Sequence, residues 1–240
     1  MRNRIQTFLI KFVNEIDFEQ IPKLRSGVLK AMSHNADVLF HNHKNTTSLR
    51  YAYPLIQYKR IGGKAAILCV GEGVNAIGEF LSLPSLNVQI NTETVTLNIE
   101  RAIPKVTTAQ VWDDAFSYTT RKWLPFNSDN YTRYCNLPTD EEKQLFIERL
   151  LVANILSFFK GAGITVEKEI ACKITSLTNA RLLKFKNTKL MAFDVCFDSN
   201  VTLPNYIGIG RHTSVGFGTT VACKGDTHAP AENCDKAERS

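Results

Sequence analysis

The chain has 240 residues, of which 44% are hydrophobic and 22% charged, with 29 basic against 23 acidic side chains and a net charge of +6. That is enough apolar material for one large domain or two small ones, and no apolar run approaches the roughly 18 residues of a membrane span. Six cysteines without a C-x-x-C pair argue against a zinc site and a disulfide framework alike.

Residues 3–13 alternate and then run apolar, as a partly buried strand does. The start, Met1-Arg-Asn-Arg-Ile-Gln6, lacks the apolar core and small-residue cleavage site of a secretory signal, so a soluble, cytoplasmic protein is expected. Ile21, Leu24, Val28, Leu29 and Met32 recur at helical spacing over 18–33. His34, His41 and His43 crowd the loop that follows. Residues 48–60 are β-rich, and Gly62-Gly63 turns the chain into a second strand, Lys64–Val70. Gly71-Glu-Gly73 opens a helix predicted over 74–82, and strands are predicted at 86–91 and 94–100. Strand, helix, strand, strand, helix, strand is the ferredoxin-like plan that RNA-recognition modules share.

After Pro104 the pattern restarts, which divides the chain into an N-terminal domain, 1–103, and a C-terminal domain, 104–224. A strand-like run covers 105–124, and the polar and aromatic stretch 127–138 reads as loop. Thr139-Asp-Glu-Glu142 is a capping box for a helix over 140–160. Leu145, Ile147, Leu150, Leu151, Ile155 and Phe158 supply its core face, and Gly161 and Gly163 end it. Strands are predicted at 164–175, 181–186, 189–198 and 217–223, and the tail 225–240 is expected to be disordered. The fold class is therefore α+β: two tandem ferredoxin-like domains with a C-terminal glycine-rich loop at 206–218.

Charge is unevenly spread. No carboxylate occurs from Val38 to Gly71, where Lys44, Arg50, Lys59, Arg60 and Lys64 lie. None occurs from Ile170 to Phe193, which carries Lys173, Arg181, Lys184, Lys186 and Lys189. Acid-free basic zones are the footprint of a nucleic-acid partner, or else a solvated basic face. His41-Asn42-His43 is too compact for the metal-nuclease motif whose letters it shares, and no neighbouring acid or cysteine completes a ligand set. Two imidazoles in a positive zone suit RNA cleavage without metal. One takes the proton of a ribose 2′-hydroxyl as it attacks its own phosphodiester, and a second group protonates the leaving 5′-oxygen. The loop with Gly208, Gly210, Gly216 and Gly218 flanking Arg211 and His212 is neither a Walker loop nor a dinucleotide fingerprint. Its glycines permit positive φ and close backbone approach, and its arginine offers a planar donor to a phosphate. The alternative is a glycine-rich hairpin with no ligand.

Leu39-Phe-His-Asn-His43, Arg50-Tyr-Ala-Tyr-Pro-Leu-Ile-Gln-Tyr-Lys59 with Gly71-Glu-Gly73, and the glycine-rich loop Gly208–Gly218 together resemble the endoribonucleases that cut precursor CRISPR RNA within each repeat. That family belongs to the repeat-associated mysterious protein superfamily, and the resemblance covers roughly residues 1–222. It implies two ferredoxin-like domains side by side, and cutting without metal or cofactor that leaves a 5′-hydroxyl and a 2′,3′-cyclic phosphate. It implies CRISPR repeat RNA as partner, with room for other effector subunits and for a homodimer. His41 and His43 carry over as the catalytic pair. Lys59 and Arg60, by position and charge, join Gly208, Gly210, Arg211, His212, Gly216 and Gly218 as RNA-binding candidates. A second reading is a non-catalytic guide-RNA-binding subunit of a CRISPR effector complex, in which the histidines are incidental.

Overall fold

The structure is a computed structural model that describes residues 3–32 and 53–223. Strand β1 (Arg4–Glu15) buries residues on both of its faces, because its sheet is covered on both sides. Ile5 and Leu9 point toward the C-terminal half, while Ile10 and Phe12 point under the N-terminal helices. A short 3₁₀ turn at Phe18–Gln20 leads into helix α1 (Ile21–Ala31), which has Pro22 in its first turn, where the missing N–H costs nothing. Its Ile21, Leu24 and Val28 face inward. Strands β2 (Ile56–Ile61) and β3 (Lys64–Val70) form a hairpin whose turn residues, Gly62 and Gly63, have φ of 58° and 80°. Helix α2 (Gly73–Leu81) follows, then a small hairpin of β4 (Asn87–Ile90) and β5 (Glu93–Thr96), then β6 (Ile99–Thr108). The sheet order is β2-β3-β1-β6 with antiparallel neighbours, the ferredoxin-like order.

Two details differ from expectation. The strand predicted at 94–100 is two elements, one arm of the small hairpin and the start of β6. And β6 continues through Pro104 to Thr108. It is an edge strand, where a proline that cannot donate to the ladder is tolerated.

The second half contains β7 (Val111–Trp123), α3 (Ser128–Cys135), α4 (Asp140–Gly161), β8 (Cys172–Phe185), β9 (Thr188–Val201) and β10 (Thr219–Ala222). Its sheet order, β10-β7-β9-β8, repeats the ferredoxin-like order, again antiparallel. The polar stretch expected as loop is instead α3, whose cap is Asn127: its side-chain oxygen accepts the Asn130 N–H at 2.7 Å. The Thr139 cap of α4 forms as expected, with the hydroxyl accepting the Glu142 N–H at 3.2 Å. Ile147, Leu151, Ile155 and Phe158 are buried, but Leu145 is 54% exposed. Residues 164–171 are not strand, and the two strand pieces expected from 164 to 186 are one long β8 with bulges in its pairing to β9.

No helix lies between β9 and β10, where a complete ferredoxin-like copy has its second helix. The glycine-rich segment occupies that place. One apolar cluster runs through both halves, joining Ile5, Leu9, Leu68 and Val70 to Phe116, Trp123, Phe158, Ile207 and Ile209. A second cluster lies under α1 and α2.

Candidate functional site

The glycine-rich segment is wedged between the halves. Within the segment, Ile209 N–H donates to Gly218 O at 2.8 Å; toward the C-terminal sheet, Gly218 N–H donates to Lys122 O at 3.1 Å and Arg211 N–H to Leu124 O at 3.1 Å. Toward the N-terminal sheet, Tyr58 N–H donates to Ser214 O at 3.0 Å, beside a parallel bridge between Tyr58 and Val215. Two of the glycines show why the residue type is needed. Gly218 has φ +63°, and a Cβ there would overlap Ile209 O. Gly210 has φ +95°, and a Cβ there would lie 2.8 Å from both Leu124 O and Trp123 Cδ1. The backbone freedom expected to admit a ligand is thus spent on close packing of the segment against the protein itself. The segment closes as a hairpin, with an antiparallel bridge between Gly208 and Thr219.

Beneath this hairpin lies a polar row that leads into and along β2. Gly208 N–H donates to Gln57 Oε1 at 2.9 Å, Gln57 Nε2 donates to Tyr53 Oη at 2.7 Å, and Tyr53 Oη donates to Gly208 O at 2.9 Å. Two side chains thereby satisfy both peptide groups of one glycine, as a neighbouring strand does. Burial pushes the Tyr53 phenol above its ordinary range. Two residues further on, Lys59 Nζ donates to Thr219 Oγ1 at 3.2 Å, and Thr219 Oγ1 donates to Gly216 O at 3.1 Å. Lys59 has no exposed surface, and burial pushes its amine down to about 7. Lys59, expected at a phosphate, therefore faces Thr219 and not solvent. Tyr53 and Gln57 were not among the candidate site residues. Tyr53 precedes β2 and Leu55 stands between it and Gln57, so nothing in their spacing singles them out.

Above the hairpin the surface is basic. Arg60 is exposed, with its Nε donating to Ile16 O at 2.8 Å. Lys122 sits at a β7 bulge with φ 50°, its ammonium 3.5 Å from the centre of the Phe18 ring. Burial lowers the Lys122 pKa; Glu19 opposes this, while Arg181 and Arg60 add to it. Asp194, almost buried, holds this region together. It accepts the Lys122 N–H at 2.7 Å and Asn179 Nδ2 at 2.8 Å, and it pairs with Arg121 at 3.4 Å and Arg181 at 3.7 Å. Burial pushes its carboxyl up, but those donors and cations outweigh burial and hold it below the ordinary carboxylate value. Arg211 is exposed, and its guanidinium donates to Phe126 O at 2.9 Å. His212, at φ 55°, packs on Phe185 with ring centres 4.6 Å apart. Burial, then Arg211 and Lys186, lower its pKa and so favour the neutral ring.

The structure thus brings Arg60, Arg211 and His212 to the surface around the hairpin and places Lys59 beneath it. His41 and His43, with His34, lie outside the described residues. Among the described residues no group of three His, Cys, Asp or Glu side chains is placed to hold a metal ion. Nor is any helix among them long and apolar enough to cross a membrane.

Comparison with known proteins covers the same two halves. Residues 3–107 match the Cas6b N-terminal domain and residues 110–223 the Cas6b C-terminal domain. A crystal structure of Cas6b is 27% identical, with a TM-score of 0.82 over 92% of this chain and 100% of its own. A second, a CRISPR RNA processing endoribonuclease Cas6b, is 25% identical with a TM-score of 0.69, again over 92% of this chain and 100% of its own. An uncharacterized protein of Methanocaldococcus jannaschii is 37% identical over 99 residues, which are 41% of this chain; the chain spans 66% of that relative's length. Since both sheets, and the hairpin wedged between them, fall within two consecutive domains of one family, the chain belongs to the Cas6b family.

Proposed function

We propose that this protein is an endoribonuclease that cuts precursor CRISPR RNA within its repeats. The observation that carries the reading is the match of both halves to Cas6b domains, in order, across residues 3–223. The basic surface around the hairpin, with Arg60, Lys122, Arg181 and Arg211, supports it as a place for an RNA backbone.

In the proposed reaction a ribose 2′-oxygen forms a bond to the adjacent phosphorus, and the bond from phosphorus to the 5′-oxygen breaks. One of His41 and His43 takes the 2′-hydroxyl proton, and the other supplies a proton to the leaving oxygen. Arg60 offsets the charge that builds on the phosphorane. The products are a 2′,3′-cyclic phosphate and a 5′-hydroxyl, and the step consumes neither metal nor cofactor.

The test is incubation of end-labelled repeat RNA with the protein in EDTA. Cleavage to those two ends is expected, and a single 2′-deoxy nucleotide before the cut should abolish it. Cutting that needs a divalent metal, or that survives the deoxy substitution, refutes the mechanism. Tight, salt-sensitive binding without products favours a guide-RNA-binding subunit instead. The His41→Ala, His43→Ala double variant should keep RNA affinity while cutting about 10²–10⁴-fold more slowly.

A further inference from the structure

Lys59 is a buried amine for which packing gives no reason. Its side chain has no exposed surface. Among the described residues no carboxylate pairs with it, and its one hydrogen-bond partner is Thr219 Oγ1 at 3.2 Å. An ammonium carries three donors and loses its hydration on burial, so this site is costly. Methionine would fill the same length of space without that cost. Asp194, the buried carboxylate among the described residues, is by contrast paired with two arginines and accepts from two further donors.

The place to look for compensation is what Thr219 holds. Its hydroxyl accepts from Lys59 and donates to Gly216 O, closing the turn from Gly216 to Thr219. In that turn Gly216 has φ +92° and Gly218 has φ +63°, conformations open to glycine that the Thr219 hydrogen bond holds in place. Gly218 N–H donates to Lys122 O, and Val215 N–H donates to His212 O. The turn therefore joins Lys122 on one side to the Arg211–His212 tip on the other.

We propose that Lys59 is a positioning residue for RNA: from beneath the hairpin it fixes the Gly216–Thr219 turn through Thr219, so that Lys122, Arg211 and His212 are presented to the RNA backbone in one geometry. It makes no contact with RNA. The proposal rests on the RNA-processing reading above, and it replaces a phosphate contact by Lys59 with an indirect role.

The test separates stability from recognition. Full-length wild type, Lys59→Met, Thr219→Val and the double variant are compared by thermal unfolding and by binding to repeat RNA. Lys59→Met is expected to unfold at the wild-type temperature or above it, yet to bind RNA about tenfold more weakly, as for loss of one charge-assisted hydrogen bond. Thr219→Val should show a similar binding loss, the double variant should be no worse than either single one, and Thr219→Ser should bind normally. A Lys59→Met protein that loses stability and affinity together has lost a merely structural residue, and the proposal fails. Additive losses in the double variant also overturn it. Wild-type affinity in Lys59→Met overturns this role alone. Absence of repeat-RNA binding by the wild type overturns the functional reading, and this role with it.

Discussion

Replacing Gly218 with alanine sets a methyl group onto the carbonyl oxygen of Ile209. That carbonyl belongs to the backbone of the hairpin, so the overlap is relieved only by opening it. Two hydrogen bonds are at risk, Ile209 N–H to Gly218 O at 2.8 Å and Gly218 N–H to Lys122 O at 3.1 Å. Each contributes about 1 kcal/mol net. An alanine at φ +63° adds about 1 kcal/mol of backbone strain, and displacement of the fully buried Ile209 adds some lost packing. The expected loss is about 3–4 kcal/mol, a large share of the roughly 5–15 kcal/mol that holds a typical domain together. Gly163 supplies the control. It has φ +73° but nothing within 4 Å of its absent Cβ, so Gly163→Ala carries the backbone strain alone, about 1 kcal/mol. Urea unfolding of the two variants beside the wild type measures the difference. If Gly218→Ala costs no more than Gly163→Ala, the hairpin is not held by close backbone contact and the packing account of its glycines is wrong.

The Asp194→Asn variant should lose about 2–3 kcal/mol, because two charge-assisted donors and two arginines lose their anion; chemical denaturation at pH 7 measures this. The folded carboxyl titrates below its unfolded value, so its stabilisation is fully present above about pH 4 and fades as pH falls through the lower folded pKa. The acid limb of the wild-type stability curve should therefore flatten in Asp194→Asn. Arg211→Ala should weaken repeat-RNA binding about tenfold and reduce the slope of log affinity against log salt by about one, with cleavage at saturating enzyme little changed. A collapsed cleavage rate at unchanged affinity would place Arg211 at the reacting phosphate instead.

Strand β3 was legible to the residue because Gly62-Gly63 and Gly71 punctuate it, and α4 because Thr139 and Glu142 announce its start. Helix α3 was missed because it is held by a local cap and by aromatic packing of Tyr131 and Tyr134 on Phe126, with no apolar period in its sequence. Leu145 was assigned inward because helical spacing cannot tell where a neighbouring sheet ends. The candidate site was legible in part. The hairpin glycines and the basic zones stood out, but a lysine in a β-strand reads as solvent-facing until the surface opposite is known. For Lys59 that surface is the hairpin itself, more than 150 residues away in the chain.

The apolar cluster that runs through both halves bears on how the molecule unfolds and moves. Ile5, Leu9 and Leu68 pack with Phe116, Trp123 and Phe158, and the hairpin is bonded to both sheets. Neither half can swing on the short 108–111 connection without exposing that shared interior. The pair should denature in one cooperative transition, not domain by domain. Under the proposed function, an RNA partner would meet a preformed face, and discrimination between repeats would fall to the shape and charge of that face and not to a closing hinge.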